Sequence, residues 1–126
     1  MTQPRTKKTI AIDFDGVIHG YDKGWQGGEI YGEVIEGAFE AIQRFFDDDY
    51  SVYIHSTRNA EQIQSWLHKR NDWKHPTCII PDDMFFWNAV NVVGITNRKV
   101  PAVVYIDDRA IRFENWAQVF TAMESI

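Results

Sequence analysis

Short apolar runs alternate with amphipathic segments along this chain. Runs rich in β-branched residues predict strands, and apolar positions at helical spacing predict helices. The predicted strands cover residues 8–13, 51–55, 89–95 and 102–106. The predicted helices cover residues 34–46, 60–70 and 114–123. Because strands alternate with helices, the pattern predicts an α/β fold in which a central parallel sheet is covered on both faces, a three-layer Rossmann-like arrangement.

The remaining segments carry weaker signals. Residues 1–7 are polar and are expected to be a flexible lead-in. Residues 17–33 contain five glycines interleaved with Tyr21, Trp25 and Tyr31, which predicts a hairpin or flap and not a helix. Residues 71–88 receive no assignment. The last predicted helix is expected to direct three apolar side chains inward, namely Trp116, Val119 and Phe120.

Composition bounds the class of protein. A chain of 126 residues with 44% hydrophobic residues fits a single globular domain over 1–126. Cys78 is the only cysteine, so neither an intrachain disulfide nor a cysteine metal cluster can form. No apolar run is long enough for a membrane span and the start lacks a signal-peptide core, so we expect a cytoplasmic protein without a membrane partner.

The charge balance bears on nucleic acids. The net charge of −5 argues against broad, nonspecific binding to nucleic acid. A local basic groove stays open, because the fold can gather the few clustered cations. These are Arg5, Lys7, Lys8, Arg98 and Lys99.

Candidate chemistry begins where the first predicted strand ends. Alternate residues of a strand share a face, so Asp13 and Asp15 project the same way. Two close carboxylates repel unless a cation or a proton lies between them, which favours a metal or catalytic site over two merely solvated acids. Gly16 allows the tight bend that turns backbone N–H groups toward the same point.

Polar clusters also follow the other predicted strands. Ser56 and Arg58 follow the second strand, Lys99 follows the third, and Asp107-Asp108 follow the last. In parallel sheets functional residues collect at the carboxyl ends of the strands. Four carboxylates there suit Mg²⁺, while hydroxyl and cationic groups suit a phosphoryl group. A carboxylate can then accept the phosphoryl group, and a second can exchange protons with the leaving oxygen and with water.

In order and spacing, these residues resemble the four motifs of the haloacid dehalogenase-like (HAD) phosphohydrolase superfamily. The motifs are Asp13-Phe14-Asp15-Gly16-Val17, then Ser56, then Lys99, then Asp107-Asp108, and they span residues 8–112. The resemblance implies a Mg²⁺-dependent phosphatase that works through an aspartyl-phosphate intermediate.

The resemblance also implies a role for each residue. Asp13 is the expected nucleophile and a Mg²⁺ ligand. Asp15 is the expected general acid/base, with its backbone carbonyl on the metal. Ser56 and Lys99 bind the phosphoryl group, and Gly16 is included in the phosphate site. Asp107 and Asp108 complete the metal site, and Arg58 matches a Ser-x-Arg pattern that implies a substrate contact.

Spacing limits the subtype. The 40 residues between Asp15 and Ser56 hold a helix and the flap, and the 42 between Ser56 and Lys99 hold one helix, one strand and the unassigned segment. Neither interval has room for a cap domain, so we expect a minimal, capless member with only the flap near its site. An open site suits a large phosphorylated substrate such as a nucleic-acid end or a phosphoprotein. A nucleotide or other small ester stays open if the flap or an oligomer partner covers the site.

Three other readings compete. A receiver-type phosphoacceptor domain also combines acids, a hydroxyl and a lysine, but its acceptor follows a middle strand, where this chain has Ser56. A non-catalytic relative that binds phosphate or nucleic acid would not need both Asp13 and Asp15 intact. A metal-dependent nuclease would leave Lys99 and Ser56 without a role.

Overall fold

A computed structural model describes residues 8–126, and the predicted lead-in over 1–7 lies outside the described residues. Five parallel strands form one sheet in the order β3-β4-β2-β1-β5. The strands are β1 (Lys8–Asp13), β2 (Tyr50–His55), β3 (Thr77–Ile79), β4 (Val93–Thr96) and β5 (Val104–Ile106). The predicted α/β fold with a central parallel sheet is confirmed.

Three α-helices accompany the sheet. They are α1 (Ala38–Asp47), α2 (Ala60–His68) and α3 (Trp116–Met123). Helix α1 begins four residues later than predicted, after Gly37 in a left-handed conformation with φ of 87°. Helix α2 begins where predicted, because the Asn59 side chain accepts a hydrogen bond from the backbone N–H of Gln62.

One face of the sheet packs against helices α1 and α2. The side chains of Ile10 and Ile12 in β1, together with Val52 and Ile54 in β2, belong to the same buried cluster as the apolar stripes of both helices. Strand β2 lies near the centre of the sheet, and its residues 51–54 are fully buried. This strand is therefore well shielded from solvent.

The second buried cluster of the sheet draws on irregular chain, and among the described residues no helix contributes to it. Trp87 packs over Gly94 of β4, where an added Cβ would lie 2.8 Å from the indole ring. Tyr53 and Val100 belong to the same buried cluster. The connection from β4 to β5 spans only residues 97–103, which is too short for a crossover helix.

Helix α3 differs most from its prediction. Trp116 and Phe120 were expected to point inward, but 67% and 64% of their surfaces are exposed, and only Val119 is half-buried. The helix contains no buried residue. The apolar stripe correctly predicts a helix, but it does not specify the surface against which that helix packs.

The segment over 71–88 contains features that the sequence pattern did not resolve. Strand β3 is only three residues long and lies at the sheet edge between Pro76 and Pro81. Of the aromatic residues that follow, Trp87 is buried, whereas Phe85 and Phe86 are exposed. The predicted strand over 89–95 begins later, at Val93, and ends at Thr96. Across the described part of the chain, no helix has the length and apolar character that a bilayer crossing requires.

Candidate functional site at the carboxyl edge of the sheet

The strand register brings two of the predicted polar clusters together. Asp13 ends β1 and pairs with His55 at the end of β2, while Ile12 pairs with Ile106 of β5. Asp107 therefore follows β5 directly beside Asp13. The chain moves from β1 to β2 on one side and places β5 on the other, so β1 and β5 flank the switch point at which open α/β sheets form sites.

Three carboxylates converge at this point. Asp13, Asp107 and Asp108 each offer an oxygen, and these oxygens all lie within 4.8 Å of one another. The pKa of Asp13 is raised from 3.8 to about 6, first by burial and then by repulsion from Asp107, with smaller contributions from Asp108 and Asp15 and an opposing backbone hydrogen bond at Phe14. The cluster is therefore short of positive charge.

Gly16 makes room for one of these acids. Its φ of 84° lies in the left-handed region that favours glycine. A Cβ built at this position would overlap the carboxylate of Asp108. The glycine therefore serves the turn and also allows the close approach of Asp108 to the backbone.

The side chain of Asp15 lies in a different environment from the cluster. Its carboxylate accepts hydrogen bonds from Arg58 Nε at 2.9 Å to both oxygens, and it lies 2.9 Å from His19 Nδ1. His19 Nε2 accepts a hydrogen bond from the backbone N–H of Gly32, so Nδ1 carries the proton and donates to Asp15. The metal contact predicted for Asp15 uses its backbone carbonyl and not this side chain, and it stays a prediction.

Arg58 attaches the flap to Asp15. The guanidinium is buried, and its Nη1 donates to the carbonyl of Gly28 at 2.7 Å. It also lies 4.7 Å from the centroid of the Trp25 ring and 5.6 Å from that of Tyr21. These contacts engage much of the Arg58 side chain, for which the sequence predicts a substrate contact.

Ser56 lies on the wall of the acidic cleft. This cleft, of about 230 Å³, is lined by Asp13 and Asp15 and also by Tyr21 and Trp25 of the flap. Ser56 Oγ accepts a hydrogen bond from the backbone N–H of Arg58 at 3.1 Å, which fixes the side chain at the start of the loop before α2.

Lys99 lies beside the cluster but outside the acidic cleft. It lines an adjoining pocket of about 140 Å³ together with Asp13, His55 and Asp107. Its ammonium lies 4.5 Å from the centroid of the Tyr105 ring. Among the side chains of residues 8–126, it forms no ion pair with a carboxylate. The lysine therefore lies near Asp13 without neutralising it.

Two residues of this region, His19 and Arg109, are given no role by the sequence, and a third, Trp25, is placed by it only on the flap. His19 is fully buried and orients Asp15. Trp25 is half-exposed on the cleft wall, and Arg109 lines the cleft while its backbone N–H donates to Asp107. For His19, the spacing of four residues from Asp15 is a weak signal in the sequence. The glycine-rich pattern places Trp25 on a flap, whereas nothing local marks Arg109, because its position depends on the chain after β5.

Comparisons with known proteins bear on the fold. No protein-family model matches the chain, and a search of curated proteins found no significant match. Among solved structures, a conserved protein from Bacteroides thetaiotaomicron is similar with a TM-score of 0.52 and 20% sequence identity, over 95% of this chain and 92% of that one. At this identity the likeness concerns the arrangement of the chain alone.

Proposed function

We propose that this protein is a HAD-like, capless phosphatase that hydrolyses phosphate monoesters through an aspartyl phosphate on Asp13. The observation that carries the proposal is the convergence of Asp13, Asp107 and Asp108 beside a cleft that also holds Ser56 and Asp15. Hydroxyl and carboxylate groups in this arrangement are the set that phosphoryl transfer uses.

The donor set fits Mg²⁺, which prefers carboxylate oxygens and retains waters for a substrate phosphate. Asp13, Asp107 and Asp108 would hold the ion through their side chains, and Asp15 through its carbonyl. When bound, Mg²⁺ would offset the repulsion among the carboxylates and the charge on the phosphoryl oxygens. Acidic clusters also occur without metal, so the ion is part of the proposal.

Two chemical steps follow. An oxygen of Asp13 attacks phosphorus and forms an acyl phosphate, while the ester oxygen departs with a proton from Asp15. Water then attacks the same phosphorus, gives its proton to Asp15 and releases inorganic phosphate, which regenerates the Asp13 carboxylate. Ser56 and Lys99 would hold the phosphoryl oxygens in both steps. Arg58 and His19 keep the Asp15 carboxylate in one orientation for these transfers.

The walls of the cleft favour a substrate with a flat group next to its phosphate. Trp25 and Tyr21 line the same cleft as the acids, and Trp25 is half-exposed. Aromatic side chains bind nucleobases by stacking. A nucleic-acid end or a nucleotide therefore fits better than a sugar phosphate, and a phosphoprotein is the second candidate.

Phosphate release from a panel of substrates tests the proposal. The panel contains oligonucleotides with 3′- or 5′-phosphate, nucleotides, phosphopeptides, sugar phosphates and p-nitrophenyl phosphate, each with Mg²⁺ or with EDTA. We expect release that requires Mg²⁺ and is lost in Asp13→Asn but kept in Asp82→Asn, an exposed acid away from the cleft. Absence of release from every substrate would favour the alternative, a HAD-like module that binds phosphate or nucleic acid without catalysis.

A further inference from the structure

A second cavity lies outside the acidic cleft. This cavity, which we call the α2 pocket, has a volume of about 390 Å³ and lies between helix α2 and the flap. Gly28 and Ile30 of the flap form one wall, and Lys69 and Arg70 at the end of α2 form part of the other. None of the functions proposed above uses it.

The polar groups that line the α2 pocket are cationic or neutral. They comprise Lys69 and Arg70 together with the amide of Gln62 and the hydroxyl of Ser65, and no acidic residue lines the pocket among the described residues. Within that same part of the chain neither cation forms an ion pair with a carboxylate.

Arg70 is held in place by stacking. Its guanidinium lies 4.2 Å from the centroid of the Trp66 ring, and Trp66 is itself fixed by edge-on contacts with Phe14 and His19 at 5.3 and 5.6 Å. Arg70 Nε is shielded from solvent and has no hydrogen-bond partner among residues 8–126. A guanidinium ordered by an aromatic ring and not by a carboxylate keeps its terminal N–H groups for a planar or tetrahedral oxyanion.

The α2 pocket adjoins the acidic cleft. Gly28 lines the pocket, and its carbonyl accepts the hydrogen bond from Arg58 Nη1. The Nε of the same arginine pairs with Asp15, which lines the cleft. One buried side chain is therefore hydrogen-bonded to a lining residue of each cavity.

We propose that the α2 pocket is a binding site for a phosphate group, held by Arg70 and Lys69 with Gln62 and Ser65 as further hydrogen-bond donors. The phosphate is either free or a phosphodiester of a nucleic-acid strand, since both present the same anionic oxygens. Binding at this site requires neither a metal nor catalysis, so this proposal does not depend on the proposed phosphatase activity.

The test is a titration monitored by the indole ¹H–¹⁵N resonances of the five tryptophans in EDTA. Loss of one resonance in Trp66→Phe assigns the Trp66 signal, and Trp25→Phe assigns a reporter for the cleft. The probes are inorganic phosphate and a short single-stranded DNA without terminal phosphates, with sodium chloride at matched ionic strength as the reference.

We expect both probes to shift the Trp66 resonance to saturation, because the ligand contacts the arginine stacked on that ring. Arg70→Gln should weaken the apparent affinity about tenfold, since it removes a charge-assisted hydrogen bond. Lys69→Gln, an exposed position that leaves the Trp66 contact intact, should weaken it less, and Arg44→Gln on α1 should not change it. Tighter binding of the DNA, with the Trp25 resonance shifting in parallel, would identify the source as a phosphodiester.

Three results would overturn the proposal. The first is a Trp66 resonance that neither probe moves. The second is a shift that sodium chloride reproduces at equal ionic strength. The third is an affinity that Lys69→Gln and Arg70→Gln both leave unchanged. Because the titration is run in EDTA and measures binding without turnover, these results are distinct from a failure of the phosphatase assay.

Discussion

Arg58 donates from Nε to both carboxylate oxygens of Asp15, each at 2.9 Å, and from Nη1 to the flap carbonyl of Gly28 at 2.7 Å. The residue proposed as acid/base is therefore held by the same side chain that holds the flap. The side chain of Arg58 is fully buried, whereas that of Asp15 is 20% exposed. The ion pair thus couples the position of the flap to the orientation of the acid/base group.

Removal of this arginine should damage both stability and activity. Arg58→Gln leaves Asp15 without its cation and releases the flap, and the loss of one member of a buried pair costs about 3 kcal/mol in the free energy of unfolding. Urea denaturation measures this cost. Arg44→Gln on the exposed face of α1 is the control and should change stability by less than about 0.5 kcal/mol. Equal stabilities of the two variants would show that the ion pair contributes little.

The crowding of Asp13 predicts a pH dependence in the metal-free protein. Its pKa is raised from 3.8 to about 6, mainly by burial and then by Asp107. Between these values the folded state holds a proton that the unfolded chain has lost, so this group lowers the free energy of unfolding as pH rises from about 4 to about 6. Asp13→Asn does not titrate and should become more stable than the wild type as pH rises.

Denaturation of both proteins in EDTA across this range measures the effect. Wild type and variant must be compared at each pH, because burial lowers the pKa of His75, and that shift makes stability rise with pH below 6.5. Asp82→Asn should run parallel to the wild type. A constant difference in stability between Asp13→Asn and the wild type at all pH values would argue against a raised pKa at Asp13.

Gly16 offers a test of the close approach to Asp108. Gly16→Ala must adopt a φ of 84° and also displace the Asp108 carboxylate. Gly24→Ala meets a similar strain at a φ of 75° but has no atom within 4 Å of the new Cβ. Both variants should therefore lose about 1 kcal/mol of stability from backbone strain, and only Gly16→Ala should lose Mg²⁺ affinity. Isothermal titration with Mg²⁺ measures this difference, and equal affinities would exclude a role of the glycine at the metal site.

Two tryptophans test the packing of helices α2 and α3. Trp66 is 6% exposed beneath the flap, whereas Trp116 is 67% exposed on α3. Trp66→Ala should cost about 3–5 kcal/mol in the free energy of unfolding, and Trp116→Ala no more than about 0.5 kcal/mol. A large cost at Trp116 would mean that α3 packs against a surface in solution, within one chain or between two copies.

The sequence predicted those parts of the molecule that depend on local pattern. Strands β1 and β2 are continuous apolar runs, so their buried positions follow directly from the sequence, and Asp13 and Asp107 lie side by side because both follow neighbouring parallel strands. Strand β3 was missed because three residues between prolines carry no periodicity. The exposed face of α3 and the attachment of Arg58 to Asp15 both depend on distant contacts, and no local signal encodes them.

The most direct test of the central claim is the search for a phosphoryl group on Asp13. The protein is mixed with Mg²⁺ and the best substrate from the panel, quenched in acid and digested, and the peptide that contains Asp13 is examined by mass spectrometry. We predict a phosphoryl adduct on this residue that accumulates in Asp15→Asn, provided that circular dichroism shows a folded variant, and that is absent in Asp13→Asn. Phosphate release that continues in Asp13→Asn, with no adduct on the wild-type peptide, would contradict the account.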